Sequence, residues 1–141
     1  MIKKKGMEIW QKRWEKDQKG KEYHKVQNTI AMNIYKERNR REEIMIARLR
    51  LNHTALNGTL YVMGKSDSDK CGSCGVKEHV EHILLHCDIY KAEREKLKDK
   101  VIEAEREWSV VGILGTKGEG VRATRKALFT FLSETGVGKI I

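Results

Sequence analysis

Seventeen consecutive positions, Cys71-Gly-Ser-Cys74-Gly-Val-Lys-Glu-His79-Val-Glu-His82-Ile-Leu-Leu-His86-Cys87, hold all three cysteines and three of the five histidines of a 141-residue chain. Thiols and imidazoles are the side chains that bind soft and borderline metals, and crowding them into one stretch is the usual sign of a metal site. Cys71-x2-Cys74 makes a tight turn whose two thiolates point the same way, with Gly72 and Gly75 letting the backbone fold close to the ion. His82 follows after seven residues and Cys87 after four more. Residues five apart on an α-helix sit about 140° out of register, so a pair at the start or frayed end of a helix is needed to reach one centre. His86 competes for the fourth place, because positions i and i+4 share a helical face. Cys87 is preferred, since a third thiolate lying free beside the ion would displace an imidazole. The expected ligand set is Cys71, Cys74, His82 and Cys87 around Zn2+, a zinc knuckle.

Each residue also has a plainer role open to it. A lone cysteine such as Cys87 is most often a small buried hydrophobe. Cys71 and Cys74 lack the strand-helix-strand surroundings of a redox pair. His79 and His86 are expected to be solvated, or to support a ligand through a carboxylate such as Glu78 or Glu81. An odd number of cysteines argues against a disulfide framework and for a reducing compartment.

Charge is distributed unevenly. Residues 1–50 carry 15 Lys and Arg against 7 Asp and Glu, a surplus of 8, whereas the rest of the chain is close to balance, within a total of +9. A basic N-terminal third attracts polyanions, of which nucleic acid is the most abundant in a cell. There is no apolar run long enough to span a bilayer, and Met1-Ile-Lys-Lys-Lys-Gly lacks the apolar stretch of a signal peptide, so no membrane partner and an intracellular location, nucleus or cytoplasm, are expected.

Apolar residues recur at helical spacing through most of the chain, and proline is absent. Residues 7–27 read as one helix weakened at Gly20, with Trp10 and Trp14 one turn apart and more in keeping with a core stripe than with base stacking. Residues 28–37 form an ambiguous link. A second helix begins at the Asn39 cap, helped by Glu42 and Glu43, with either Ile44, Ala47 and Leu51 or Ile46 and Leu49 as its apolar stripe. Thr54 reads as the cap of a short helix from Ala55 to Met63, interrupted by Gly58. The two could form a helix-turn-helix, though simple helix pairing is the better expectation. Residues 64–70 are a polar loop. A long helix is expected from His79 towards Glu105, with Leu84, Tyr90, Leu97, Val101 and Ile102 on its apolar side and Glu93 paired with Lys96. Trp108 to Gly115 reads as a docking loop or short strand. A last amphipathic helix, Val121 to Thr135, carries Ala127, Leu128, Phe131 and Leu132 inward and stops at Gly136.

In order along the chain, Trp10-Gln-Lys-Arg-Trp14, Arg38-Asn-Arg-Arg-Glu-Glu, Arg48-Leu-Arg-Leu-Asn-His53-Thr54-x-Leu56-Asn, Cys-x2-Cys-x7-His-x4-Cys and Phe131-Leu-x-Glu134-Thr-Gly136 resemble the C-terminal tail of LINE-type, non-LTR retrotransposon polyproteins. The resemblance runs over most of the chain. It implies a zinc-binding, nucleic-acid-associated module that follows reverse transcriptase and ribonuclease H domains, with Cys71, Cys74, His82 and Cys87 as ligands. It also marks Arg48 to Thr54 as a family signature. Members of that family often have Gly where this chain has Asn52, a departure expected to bear on the turn and not on the metal. The polymerase and nuclease carboxylates of the family have no counterpart in this sequence.

Catalytic alternatives fit less well. Cys-x2-Cys-Gly followed by Glu78-His79-Val80-Glu81-His82 faintly resembles the opening of an HNH-type nuclease, but an apolar helix continues where that family needs a loop. The zinc-deaminase order is reversed, and His-Glu-x2-His is absent. A four-ligand closed site also leaves no place for substrate, as in a structural zinc. The expectation is a mainly α protein: a basic N-terminal helical arm, residues 1–37, and a helical Cys3His zinc-knuckle domain, residues 38–141. It has no catalytic residue and binds RNA or DNA through Lys12, Arg13, Arg40, Arg41, Arg48 and Arg50. A protein-interaction module using Trp10, Trp14 and Trp108 is the non-enzymatic alternative.

Overall fold

A computed structural model describes residues 2–27 and 35–141, with side chains from residue 4 onward. Residues 28–34 of the ambiguous link lie outside the described residues. The fold is mainly α, with a single antiparallel bridge, Lys70 to Lys77, among the described residues. Seven α-helices follow in order: α1 Ile2–Lys16, α2 Lys21–Val26, α3 Arg40–Leu51, α4 Asn57–Val62, α5 Lys91–Glu103, α6 Val110–Leu114 and α7 Val121–Thr135. None of the described helices is long and apolar enough to cross a membrane.

The expected single helix over 7–27 is two. It breaks at Gly20, which adopts φ 71°, and α2 folds back so that Trp14 lies edge-on to Tyr23 and tilted against His24. The Trp14 indole donates to the carbonyl of Gln27 at 2.9 Å. Trp10, expected in the core, is instead exposed beside Ile9. The packed side of α1 is Met7, Gln11 and Trp14, spaced i, i+4, i+7, and Trp10 falls off that stripe. Val26 of α2 enters the same core cluster as Ile46, Leu97 and Leu128. Its neighbour Gln27 is buried and accepts a hydrogen bond from Thr116.

Helix α3 starts as its sequence demands, with the Asn39 side chain accepting from the Glu42 amide. Of its two candidate stripes the fold uses Ile46 and Leu49, leaving Ile44, Ala47 and Leu51 exposed. Thr54 does not cap α4. Its hydroxyl accepts from the Leu56 amide, and the helix begins two residues later than the cap would place it. Gly58, expected to interrupt this helix, is where its first turn meets the Glu78 backbone, and the Gly58 amide donates to Glu78 at 2.9 Å.

The long helix expected from His79 to Glu105 is interrupted. A turn of π-helix spans His82–His86, the chain extends at Cys87, and a 3₁₀ turn over Asp88–Tyr90 leads into α5. Leu84, Leu97 and Val101 are buried as expected, but Ile102 is 54% exposed. Lys96 reaches Glu134 on α7, not Glu93. Helix α5 packs along α7, whose Leu128, Phe131 and Leu132 point inward before the stop at Gly136. Tyr90 packs edge-on to Phe131 and joins the knuckle to this pair.

The stretch Trp108 to Gly115, expected as a loop or strand, contains α6, started by Ser109, whose hydroxyl accepts from the Gly112 amide. The carbonyls of this five-residue helix and its C-cap are met by three arginines, one each from α3 and α7 and one from the loop after α5. Arg50 of α3 donates twice to Leu114, Arg106 donates to Gly112 and Gly115, and Arg125 of α7 donates to Ile113, Leu114 and Gly115. A helix C-terminus is the negative end of its dipole and leaves its last carbonyls unpaired, so cations placed there satisfy both needs. Arg125 is 2% exposed, and its charge is balanced by Glu37 at 2.6 Å.

Candidate metal centre

Two segments bring the site together. The first is a turn, Cys71 to Val76, closed by the Cys71 amide to Val76 at 2.7 Å and the Gly75 amide to Cys71 at 2.9 Å. Gly75 holds φ 70°, a conformation that costs other residues about 1–2 kcal/mol. Gly72 meets nothing within 4 Å at the Cβ position, so the close backbone approach expected there is not needed. The second segment is the π turn. The Cys87 amide bonds the His82 carbonyl at 2.7 Å, an i to i+5 closure. That closure removes the out-of-register problem of an α-helix, because it draws residues five apart into adjacent positions. Val80, Ile83 and Leu84 anchor the turn in the core.

One ligand atom each from Cys71, Cys74, His82 and Cys87 lie within 4.8 Å of one another. The sulfurs of Cys71 and Cys87 are 3.9 Å apart, as are those of Cys74 and Cys87. Tetrahedral zinc with Zn–S bonds of about 2.3 Å needs sulfurs about 3.8 Å apart. His82 Nε2 is buried and has no hydrogen-bond partner. A buried imidazole nitrogen left unpaired costs about 1–3 kcal/mol, and a metal ion at the cluster centre would remove that cost. The residues present therefore fit a tetrahedral ion, and the fold brings together all four ligands expected from the spacing. His86, the competitor, is exposed and is not among the four residues brought together.

The electrostatics suit a cation. Burial lowers the His82 pKa, with the nearby His79 and His86 adding to it, and so keeps the imidazole in the neutral form that ligates. Burial pushes the Cys87 thiol up to about 11. Burial also pushes Cys71 up, but hydrogen bonds from the amides of Cys74 and Ser73 together with those to the Cys87 and Cys74 thiols outweigh it, and the net direction is down. The Asp88 amide donates to the Cys74 sulfur at 3.4 Å. Buried Arg94 donates to the Cys87 carbonyl. A bound metal would reverse the thiols' preference for their protons.

His79 bonds the Lys77 carbonyl and stands 3.9 Å from Glu81. Glu78 supports the site from below: its carboxylate accepts from the Asn57 amide, and its carbonyl from Gly58. Asn52 sits at φ 53°, where glycine is the usual residue. Its side chain accepts from the Val80 amide at 3.1 Å, two residues before His82. Asn52 thus caps the helical turn that carries a ligand, and the expectation that it concerns the turn alone is corrected. No local pattern pointed to that contact, which spans 28 positions.

The six basic residues expected at nucleic acid are spread over two helices. Lys12 and Arg13 are exposed on α1, and Arg40 and Arg41 on the first turn of α3. Arg48 is exposed and donates to the Ile141 carbonyl at 3.0 Å. Arg50 is half-buried over the Tyr23 ring with its guanidinium on Leu114, and burial lowers its pKa, helped by Arg125. Compared with family models, curated proteins and solved structures, the chain matches none.

Proposed function

We propose that this protein is a zinc-binding, nucleic-acid-binding helical module, similar to the tail of a LINE-type retrotransposon polyprotein and without a catalytic centre of its own. The observation that carries the proposal is the Cys71, Cys74, His82 and Cys87 cluster, with ligand atoms within 4.8 Å of one another. Zinc is the ion favoured by three thiolates and one imidazole in tetrahedral array. Four protein ligands leave no open position for substrate or water, so the ion's role is to hold the turn at residues 71–76 against the helix of residues 80–86.

Nucleic acid is the partner that the charge of the N-terminal third favours, with Lys12, Arg13, Arg40 and Arg41 as exposed phosphate contacts. Metal content by native mass spectrometry, on the parent, Cys74→Ser and Cys87→Ser, tests the first half of this proposal. One zinc in the parent and weak or no retention in both variants is the expected result. Titration with RNA and DNA at rising salt tests the second half, with affinity falling steeply as salt increases. A parent without metal would overturn the zinc assignment, and binding indifferent to salt would overturn the phosphate contacts.

A further inference from the structure

The chain before α3 and the outer face of α7 enclose a cleft of about 790 Å³. On α7, Arg122, Lys126, Phe129 and Ser133 recur at i, i+4, i+7 and i+11, within about 60° of one another around the axis, and all four line it. Tyr35, Lys36 and Arg38 form the facing wall. The buried pair of Glu37 and Arg125 ties the two walls together at 2.6 Å, and the Arg125 guanidinium lies 6.0 Å from the centre of the Tyr35 ring. A second cleft of about 390 Å³ shares Arg38, Glu42, Phe129 and Ser133 with the first and adds Arg41 and Lys139. The two therefore make one groove, which follows α7 from Arg122 to Ser133 for about 16 Å at about 1.5 Å per residue.

The charge of this groove is one-sided. Among the described residues, each carboxylate that lines it is already taken up by a cation: Glu37 by Arg125, Glu42 by Arg38 at 3.2 Å and Glu134 by Lys96 at 3.6 Å. Lys36, Arg41, Arg122, Lys126 and Lys139 are exposed and belong to no ion pair among the described residues. They are spread along the groove and do not converge on one point, which suits a ligand whose negative charge repeats. Tyr35 and Phe129, both half-buried, add an apolar wall for sugars and base faces.

We infer that this groove is a nucleic-acid binding site, in which a strand lies along α7 with its phosphates on Lys36, Arg41, Arg122, Lys126 and Lys139. The inference rests on the nucleic-acid reading proposed above and locates the strand. It also adds three contacts, Arg122, Lys126 and Lys139, from the part of the sequence whose near-balanced charge hides them.

The test is fluorescence anisotropy of an end-labelled oligouridylate of about 20 nucleotides, titrated with the full chain at rising salt. Arg122→Gln with Lys126→Gln is expected to weaken binding about tenfold at low salt and to reduce the log-log salt slope by about 1.4, two phosphates at about 0.7 each for a single strand. Lys65→Gln with Lys91→Gln removes the same charge from exposed positions outside the groove and is expected to stay within about twofold of the parent. All four side chains are exposed, so both double variants keep the helical circular dichroism of the parent.

If the parent does not bind the oligouridylate, the nucleic-acid reading itself falls and this inference with it. If the parent binds and the groove variant matches the Lys65 and Lys91 variant in affinity and salt slope, the groove alone is overturned. Displacement of the oligouridylate by poly-glutamate at equal charge concentration would assign the groove to an acidic polypeptide and would likewise overturn it.

Discussion

The Cys87 amide and the His82 carbonyl are joined at 2.7 Å across five residues, one more than an α-helix allows. This single bond makes the His-x4-Cys spacing usable, since it puts the Cys87 sulfur 3.9 Å from both Cys71 and Cys74 while His82 Nε2 stays buried beside them. It also places Cys87, and not His86, in the cluster with Cys71, Cys74 and His82. His86→Ala is expected to keep one tightly held zinc, whereas Cys87→Ala should lose it or exchange it at least about tenfold faster with a chromogenic chelator, as loss of a ligand does. Tight zinc in Cys87→Ala together with loss in His86→Ala would reverse the assignment.

Asn52 serves two needs at once, a backbone at φ 53° and a side-chain acceptor for the Val80 amide. Glycine meets only the first of these, and alanine neither. Asn52→Gly should cost about 1 kcal/mol of stability, the usual loss of a helix cap. Asn52→Ala should cost about 2–3 kcal/mol, since the strain of the left-handed backbone is added. Urea unfolding of the zinc-loaded protein measures both, and equal costs would show that the Val80 contact contributes nothing.

Gly58 lets α4 touch the knuckle. A Cβ there would stand 2.5 Å from the Glu78 carbonyl oxygen, backbone that cannot rotate away. Gly58→Ala is expected to destabilise the protein by about 1–3 kcal/mol and to speed zinc release. Gly72→Ala, with nothing within 4 Å, serves as the comparison and should stay within about 0.5 kcal/mol. Calorimetry and chelator exchange on the two variants separate a packing effect from a general intolerance of the turn.

Glu37 and Arg125 form a buried ion pair, with side chains 5% and 2% exposed. Arg125→Met removes the partner of a buried carboxylate and should cost about 3–5 kcal/mol. The double variant Glu37→Gln with Arg125→Met should be less destabilised than the single, because no uncompensated charge remains. Additive losses in urea unfolding would contradict the pairing as the source of the effect.

What could be read from the chain was what neighbours in sequence decide. Asn39 starts α3 and Gly136 stops α7, because capping is settled within one turn, and the four clustered residues stood out because metal chemistry restricts both residue type and spacing. The failures lie where distant residues overrule local preference. Gly112 and Gly115 made residues 108–115 look irregular, yet the Ser109 cap and three arginines from elsewhere hold α6 in place. Arg50 read as a contact to nucleic acid, and only the fold shows the Leu114 carbonyl that takes its guanidinium 64 positions away. The break of the long helix at Cys87 was hidden for a similar reason. Choosing a π turn over an α turn depends on Ile83, Leu84 and the thiols being buried together, which no window of sequence contains.

The arginines around α6 hold that helix by its peptide oxygens and not by its side chains. A grip of that kind does not read the side chains of α6, but it needs Gly112 and Gly115, where a Cβ would run into the backbone. Ile113 and Leu114 are fully buried and Val110 packs against the core, which leaves Val111, 44% exposed, as the position where a substitution touches neither the core nor the arginines. The short helix is thus fastened twice, through its backbone to the three arginines and through Ile113 and Leu114 to the core.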